Sequence, residues 1–326
     1  MGRGAIPWGA IGLTAGGTGV VALVVWYGAA QIGDEVLRAA WALPPIMAIH
    51  AAAQFLSAAA WRATTGGGQP ELRHWFTIRI IRESVNCLLP VAQLGGNLVG
   101  IRLLMQRGIA GTAATAGTII DVTLEALTQL AFTLLGIAVL ATLSHDDARA
   151  PWVQASVTLM ALGLAGFLAA QRTAGLRILE WIAGPLSRVF PRFSMATVRR
   201  LFEAINERQR QHAMLARATI LHLLAWLLGI GETWLTLEAM GRPTSFAEAL
   251  VIESLGAAVR GAAFAIPGGL GVQEAGFVLI GGLFGVPPDQ AIALSMVKRL
   301  RELAFGVPGL LAWQWLEGRH LRRRRE

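Results

Sequence analysis

The sequence predicts an all-α membrane protein. The expected fold is a polytopic bundle of transmembrane helices with two inverted repeats, each containing a broken, partly re-entrant helical hairpin. Three observations carry this expectation. Hydrophobic residues make up 54% of the 326 residues and charged ones 15%, against about 25% charged in an ordinary soluble protein, and the apolar residues fall in blocks of about 20, enough to cross a bilayer. Two blocks are interrupted after a proline by glycine-rich runs, VAQLGGNLVG after Pro90 and GGLGVQEAG after Pro267. Polar residues inside apolar stretches recur at one spacing in the two halves of the chain.

Taken in order, residues 8–27 form the first span, since the apolar run exceeds the core of a cleaved leader. Residues 41–61 form the second despite Pro44 and Pro45, and both are bracketed by aromatic residues as at a membrane interface. Residues 62–74 are a polar, Gly-rich loop. Residues 75–89 carry Arg79, Arg82 and Glu83, residues 91–100 include Gly95 and Gly96, and residues 101–110 hold Arg102 and Arg107. They read as a helix, a break inside the membrane beginning at Pro90, and a returning half-helix. Residues 112–143 are a long helix containing Asp121 and Glu125; 144–150 are a turn and 152–170 a further span. Residues 171–212 are Arg-rich and amphipathic, as in a segment lying on a membrane surface. Residues 216–240 and 247–266 span again. The second break follows at Pro267, Gly268, Gly269 and Gly271, with a short apolar piece to Phe284, a turn at 285–288 and a last helix over 290–316. The chain is thus one integral membrane domain, with two N-terminal spans (8–61), a first repeat (75–143), a cytoplasmic amphipathic segment (171–212) and a second repeat (247–316).

Net charge is +8, but the basic residues sit in short stretches between apolar blocks rather than on a nucleic-acid-binding face. Arg3, Arg62, Arg73, Arg79, Arg82, Arg102, Arg107, the 171–217 stretch and the C-terminus fall on one side; the other receives Arg38, Arg149 and Arg242. By the positive-inside rule the crowded side is cytoplasmic, with both termini inside a bacterial inner membrane. One cysteine, Cys87, precludes an intrachain disulfide, and six histidines show no zinc-site spacing. No phosphate-binding loop or nucleophile–base constellation occurs, so neither catalysis, metal nor cofactor is expected.

Pro90 and Pro267, Gly108 and Gly285, and Glu125 and Glu302 are each 177 residues apart. The same offset sets Asn97 on Glu274, Asp121 on Lys298 and Glu83 on Arg260, and the predicted topology makes the two copies inverted, a transporter design. Asp121, Glu125, Glu253, Arg260, Glu274, Lys298, Arg299, Arg301 and Glu302 lie in or beside apolar stretches, where each costs about 2.5–3.5 kcal/mol at a helix centre. Most are therefore expected to face the interior or a wet cavity, or to lie near an interface. Two readings stand side by side: ion pairs joining the halves, Asp121 to Lys298 and Glu83 to Arg260, or a lining for a headgroup or ion path. Asn97, Arg102, Gln273 and the charges above, Arg301 apart, are the candidate path residues.

AIPGGLGVQEAG at 265–276, LLPVAQLGGN at 88–97 and VKRLREL at 297–303 resemble the flippase-like transmembrane domain of lysylphosphatidylglycerol synthases and related proteins. Within it the likeness is greatest to its hopanoid-biosynthesis-associated branch. The resemblance covers roughly residues 40–316. It implies lipid translocation or modification, with Pro267, Gly268, Gly269, Gly271 and Glu274 as the second motif and Gly95, Gly96 and Arg102 as the first. Relatives often carry an acidic residue where this chain has Asn97. The synthases carry a soluble aminoacyl-transfer domain after the membrane part; this chain stops at Glu326, so lysyl transfer is not expected of it. The leading expectation is a lipid transporter serving hopanoid or another polyisoprenoid-derived lipid. The alternatives are a membrane-embedded enzyme or enzyme partner acting on a lipid headgroup, and a scaffold holding soluble lipid-biosynthesis enzymes on the cytoplasmic side. No nucleic-acid partner is expected, and oligomeric state is left open.

Overall fold

The first apolar run forms a helix with the expected bounds, α1 (Trp8–Tyr27). Gly28, at φ 95, then turns the chain into a short helix that the span pattern does not reveal, α2 (Ala29–Arg38), with Ile32 and Glu35 buried. A 3₁₀ turn (Ala39–Ala42) leads into α3 (Leu43–Thr65). Pro44 and Pro45 fall in the first turn of α3, where the missing N–H would have had no partner, so the span tolerates them. The structure, a computed structural model, describes residues 8–66, 70–89, 95–143, 195–263 and 266–323.

Next come α4 (Leu72–Leu88), α5 (Gly95–Gln106) and α6 (Gly111–Leu143). Only the later part of the first predicted break falls among the described residues. Pro90 lies outside the described residues, while Gly95 and Gly96 belong to the first turn of α5 rather than to a break. The Gly96 N–H donates to Asn86 Oδ1 at 2.8 Å, and a Cβ on Gly96 would run into the Arg82 carbonyl. This glycine serves close packing of α5 on α4. The span expected at 152–170 and most of the amphipathic segment lie outside the described residues; its described part contains α7 (Met195–Gln209), packed on α6. Arg208 Nη1 on α7 donates to the Thr64 carbonyl at the end of α3 at 2.6 Å.

α8 (His212–Ala239) is followed by α9 (Phe246–Ala262), which opens on a reciprocal cap. Ser245 Oγ accepts from the Glu248 N–H at 3.2 Å, and Glu248 Oε2 accepts from the Ser245 N–H at 2.8 Å. The second break is real and ends five residues earlier than expected. A 3₁₀ turn (Pro267–Gly269) holds Gly268 and Gly269 at φ 60, Gly271 sits at φ 78, and α10 (Val272–Gly282) starts directly after. These left-handed values suit only glycine without strain. Gly285, at φ 72, precedes α11 (Pro288–Arg323), which continues through Pro308 and past the expected end.

Among the described residues every regular element is helical, and three stretches are long and apolar enough to cross a membrane: Ala29–Thr65, Gly111–Leu143 and His212–Ala239. α3 lies along α8, α4 packs on α11, and α6 packs on α9. Small residues set the last two contacts. Gly309 on α11 faces Ser84 on α4, and Gly136 on α6 faces Ser254 on α9; a Cβ on either glycine would overlap the serine hydroxyl. Between membrane helices, where the lipid is as apolar as leucine, such close backbone approach is a principal source of association. Two starts recur at the offset read from the sequence: α5 and α10 begin at Gly95 and Val272, and α6 and α11 at Gly111 and Pro288.

Candidate functional site

Charged side chains from α4, α6, α8, α9 and α11 converge around a cavity of about 400 Å³. On α4 the arginines come one helical turn apart, so both face α6. Arg79 Nη1 donates to Glu125 Oε2 at 3.1 Å, and its Nη2 donates to Glu125 Oε1. Arg82 Nη1 donates to Asp121 Oδ2 at 2.7 Å and its Nη2 to Glu125 Oε2 at 3.0 Å. Asp121 and Glu125, four apart on α6, form the matching face. Asp121 is fully buried and also meets His222 Nε2 of α8 at 3.0 Å.

The second half reverses the sign on the long helix. Lys298 Nζ of α11 donates to Glu253 Oε2 of α9 at 2.7 Å and lies 4.0 Å from Glu232 of α8. Arg301 donates to Glu232, and Arg260 of α9 donates to Glu302 of α11. His50 Nδ1 of α3 stands 3.3 Å from Glu232, and Gln54 links His50 (3.3 Å) to Arg79, whose Nε donates to Gln54 Oε1 at 3.0 Å. A single buried charge is costly in hydrocarbon, whereas a pair with well-directed hydrogen bonds largely offsets that cost. Each pair therefore supports the presence of the other charges in the bundle.

Of the predicted path residues, Asn97, Glu125, Glu253, Arg260, Gln273 and Lys298 line the cavity. Asp121 and Glu302 stand directly behind it as partners of lining arginines. Three predicted residues lie elsewhere. Glu274 is fully buried in the first turn of α10: its carboxylate accepts from the Gly271 N–H at 2.7 Å, Ser295 Oγ at 2.9 Å and Arg299 Nε at 2.7 Å. Arg299 Nη1 in turn donates to the Gly268 carbonyl at 3.0 Å. Glu274 and Arg299 brace the break through these bonds and are not among the residues that line the cavity. Arg102 is exposed at the end of α5, where it pairs with Glu317.

The proposed partners are also revised. Asp121 pairs with Arg82 and His222, and Lys298 with Glu253 and Glu232, so the expected Asp121–Lys298 pair does not form. Glu83 and Arg260 do meet, through Cys87: its thiol donates to Glu83 Oε1 at 3.1 Å and its sulfur accepts from Arg260 Nη2 at 3.3 Å. Arg79 and Arg82, assigned above to a basic flank, are buried members of the cavity wall. Sequence reasoning passed over His50, Gln54, His222 and Glu232. The signal was present as single polar residues inside otherwise apolar spans, with His50 and Gln54 four apart on one face. Among the described residues, no three His, Cys, Asp or Glu side chains gather as metal ligands would.

No solved structure matches the chain. It is 26% identical over 313 residues, 90% of each chain, to a UPF0104 membrane protein of Methanothermobacter thermautotrophicus. Residues 10–309 match the family described as the lysylphosphatidylglycerol synthase TM region, and the chain belongs to that family of membrane proteins.

Proposed function

We propose that the chain is a lipid transporter of a bacterial inner membrane, both termini cytoplasmic, carrying an amphiphile with its polar head in the charged cavity and its tail in the bilayer. One observation carries the reading: a cavity of about 400 Å³, lined by charged and amide side chains, lies within a bundle of apolar helices. That volume is within the roughly 300–1,000 Å³ range of small-molecule sites, and a polar interior surrounded by apolar helices suits a molecule that is polar at one end only. The recurring helix starts and the exchanged packing, α4 on α11 and α6 on α9, support an inverted repeat with its cavity at the interface, as alternating access requires. The resemblance to the hopanoid-associated branch directs the substrate search to polyisoprenoid-derived lipids. The chain acts in this reading as a carrier, without a chemical step.

The test is movement between leaflets. Purified protein in vesicles containing a headgroup-labelled lipid should raise the fraction reached by an external quencher above that of protein-free vesicles. Ala126→Trp, which adds bulk to the cavity wall, should abolish the increase in folded protein. Equal quenching with and without wild-type protein, across labelled polyisoprenoid lipids and phospholipids, would refute the proposal.

A further inference from the structure

The ion pairs around the cavity leave one carboxylate over. Each of the six basic side chains in the network can be assigned a carboxylate of its own. Glu83 is not among those carboxylates, and among the described residues no cation lies within ion-pair distance of it. It lines the cavity, and its hydrogen bond comes from the Cys87 thiol at 3.1 Å. Beside it is a second space of about 30 Å³, enough for one water.

We propose that Glu83 is a proton-binding group and that lipid movement through the cavity is coupled to its proton. The inference rests on the transport reading above. Facing Glu83 are Arg79 and Cys87 on its own helix, His50 on α3, Arg260 on α9, and Arg301 and Glu302 on α11. The three arginines are bound to carboxylates of their own, which leaves Glu83 as the lining carboxylate without an ion-pair partner among the described residues. A cavity-lining carboxylate without an ion pair is placed to exchange a proton with water that enters the cavity.

Position gives this proton its effect. Arg79–Glu125 and Arg82–Asp121 lie within the α4–α6 segment, whereas Lys298–Glu253, Arg260–Glu302 and Arg299–Glu274 lie within the α9–α11 segment. Glu83 sits where the segments meet, joined through Cys87 to Arg260. An ionised Glu83 attracts Arg260 across that seam, and a protonated one does not. One proton from water on one side adds to the carboxylate as the cavity closes and leaves to water as it opens to the other side. No electron transfer is involved.

Two measurements on the full-length protein in lipid test this. Infrared difference spectra on acidification should show a protonated-carboxyl stretch that Glu83→Gln removes and Glu71→Gln, an exposed control, retains. In vesicles, a pH gradient should shift the leaflet ratio of labelled lipid by up to about tenfold per pH unit at one proton per lipid, one pH unit being worth about 1.4 kcal/mol. Glu83→Gln should lose the response to the gradient, whatever its rate of lipid movement without one. An unchanged carboxyl band in Glu83→Gln, or an equal gradient response in both proteins, overturns the proposal. So does a Glu83 that stays ionised and responds only to added cationic lipid. Failure of the wild type to move any lipid would refute transport instead, and the infrared band would still decide whether Glu83 takes a proton.

Discussion

Asp121→Asn isolates the energetics of the buried pairs. Asp121 is fully buried and shares Arg82 with Glu125, which also accepts both Nη groups of Arg79. Neutralising it leaves two guanidiniums on one carboxylate. Removing one partner of a buried pair costs about 3–5 kcal/mol. At about 2–4 °C per kcal/mol for larger domains, the melting temperature in detergent should fall by about 6–20 °C. Adding Arg82→Met removes the surplus charge while Arg79–Glu125 remains, so the double variant should recover most of the loss. Adding Lys298→Met should not help. Lys298 is bound to Glu253 and Glu232, so its loss leaves a second uncompensated group, and the two costs should add to within about 0.5 kcal/mol, as for sites without a shared partner. Thermal unfolding followed by tryptophan fluorescence, with size-exclusion to confirm a folded species, measures all three. The reasoning fails if Asp121→Asn alone is near neutral, or if Lys298→Met rescues it and Arg82→Met does not.

The helix seams and the surface give further tests. Gly136→Ala should lower stability because its Cβ meets Ser254 Oγ, and Ser254→Gly should restore it; Gly282→Ala, with nothing within 4 Å, should be tolerated, all read from melting curves. Gly269→Ala, at φ 60, should cost about 1–2 kcal/mol from the left-handed backbone. Arg102→Ala should leave leaflet exchange at the wild-type level and change stability by about 0.2–1 kcal/mol, the range for an exposed ion pair. With Cys87 replaced by Ser, cysteines at Asp289 and Arg319, near opposite ends of α11, should label from opposite faces of the membrane; labelling from one face would refute α11 as a span.

Much of the helical layout was legible because apolar length and glycine breaks are local signals. α1 begins and ends where its apolar run does, and the Pro267–Gly271 break follows from four helix-incompatible residues in five. What stayed hidden depends on tertiary contact. Gly96 looks like Gly268 in sequence, yet one permits a close helix approach and the other a left-handed turn. Asp121 and Lys298 occupy matching positions with opposite charge, which invites pairing; the structure satisfies Asp121 through Arg82 and His222 and Lys298 through Glu253 and Glu232. Glu232 and His50 were missed because one polar residue in a long apolar span does not disclose its partner. Glu274 stands out in the sequence by its motif, but that it caps backbone in the first turn of α10 is set by where the break ends.

The distribution of strong and weak contacts has a mechanical consequence. Arg79 and Arg82 meet their carboxylates inside one segment; Lys298, Arg260 and Arg299 meet theirs inside the other. Between the segments lie small-residue contacts, Gly309 on Ser84 and Gly136 on Ser254, the thiol bridge of Cys87 and the exposed Arg102–Glu317 pair. Breaking a buried ion pair is expensive, whereas sliding a glycine face past a serine exposes no unpaired charge. Had the pairs crossed the interface, each motion of one segment against the other would have separated charges in a low-dielectric interior. Because the buried pairs named above do not, each segment can move with its buried charges paired within itself. Among the buried links α8 is the exception, since His222 reaches Asp121 in the first segment while Glu232 holds Arg301 in the second. A moving α8 must therefore break or remake one of these two links, and their relative strength determines which segment it follows. His222 makes one contact with Asp121, whereas Glu232 meets both Arg301 and Lys298 of α11, so α8 should travel with α11.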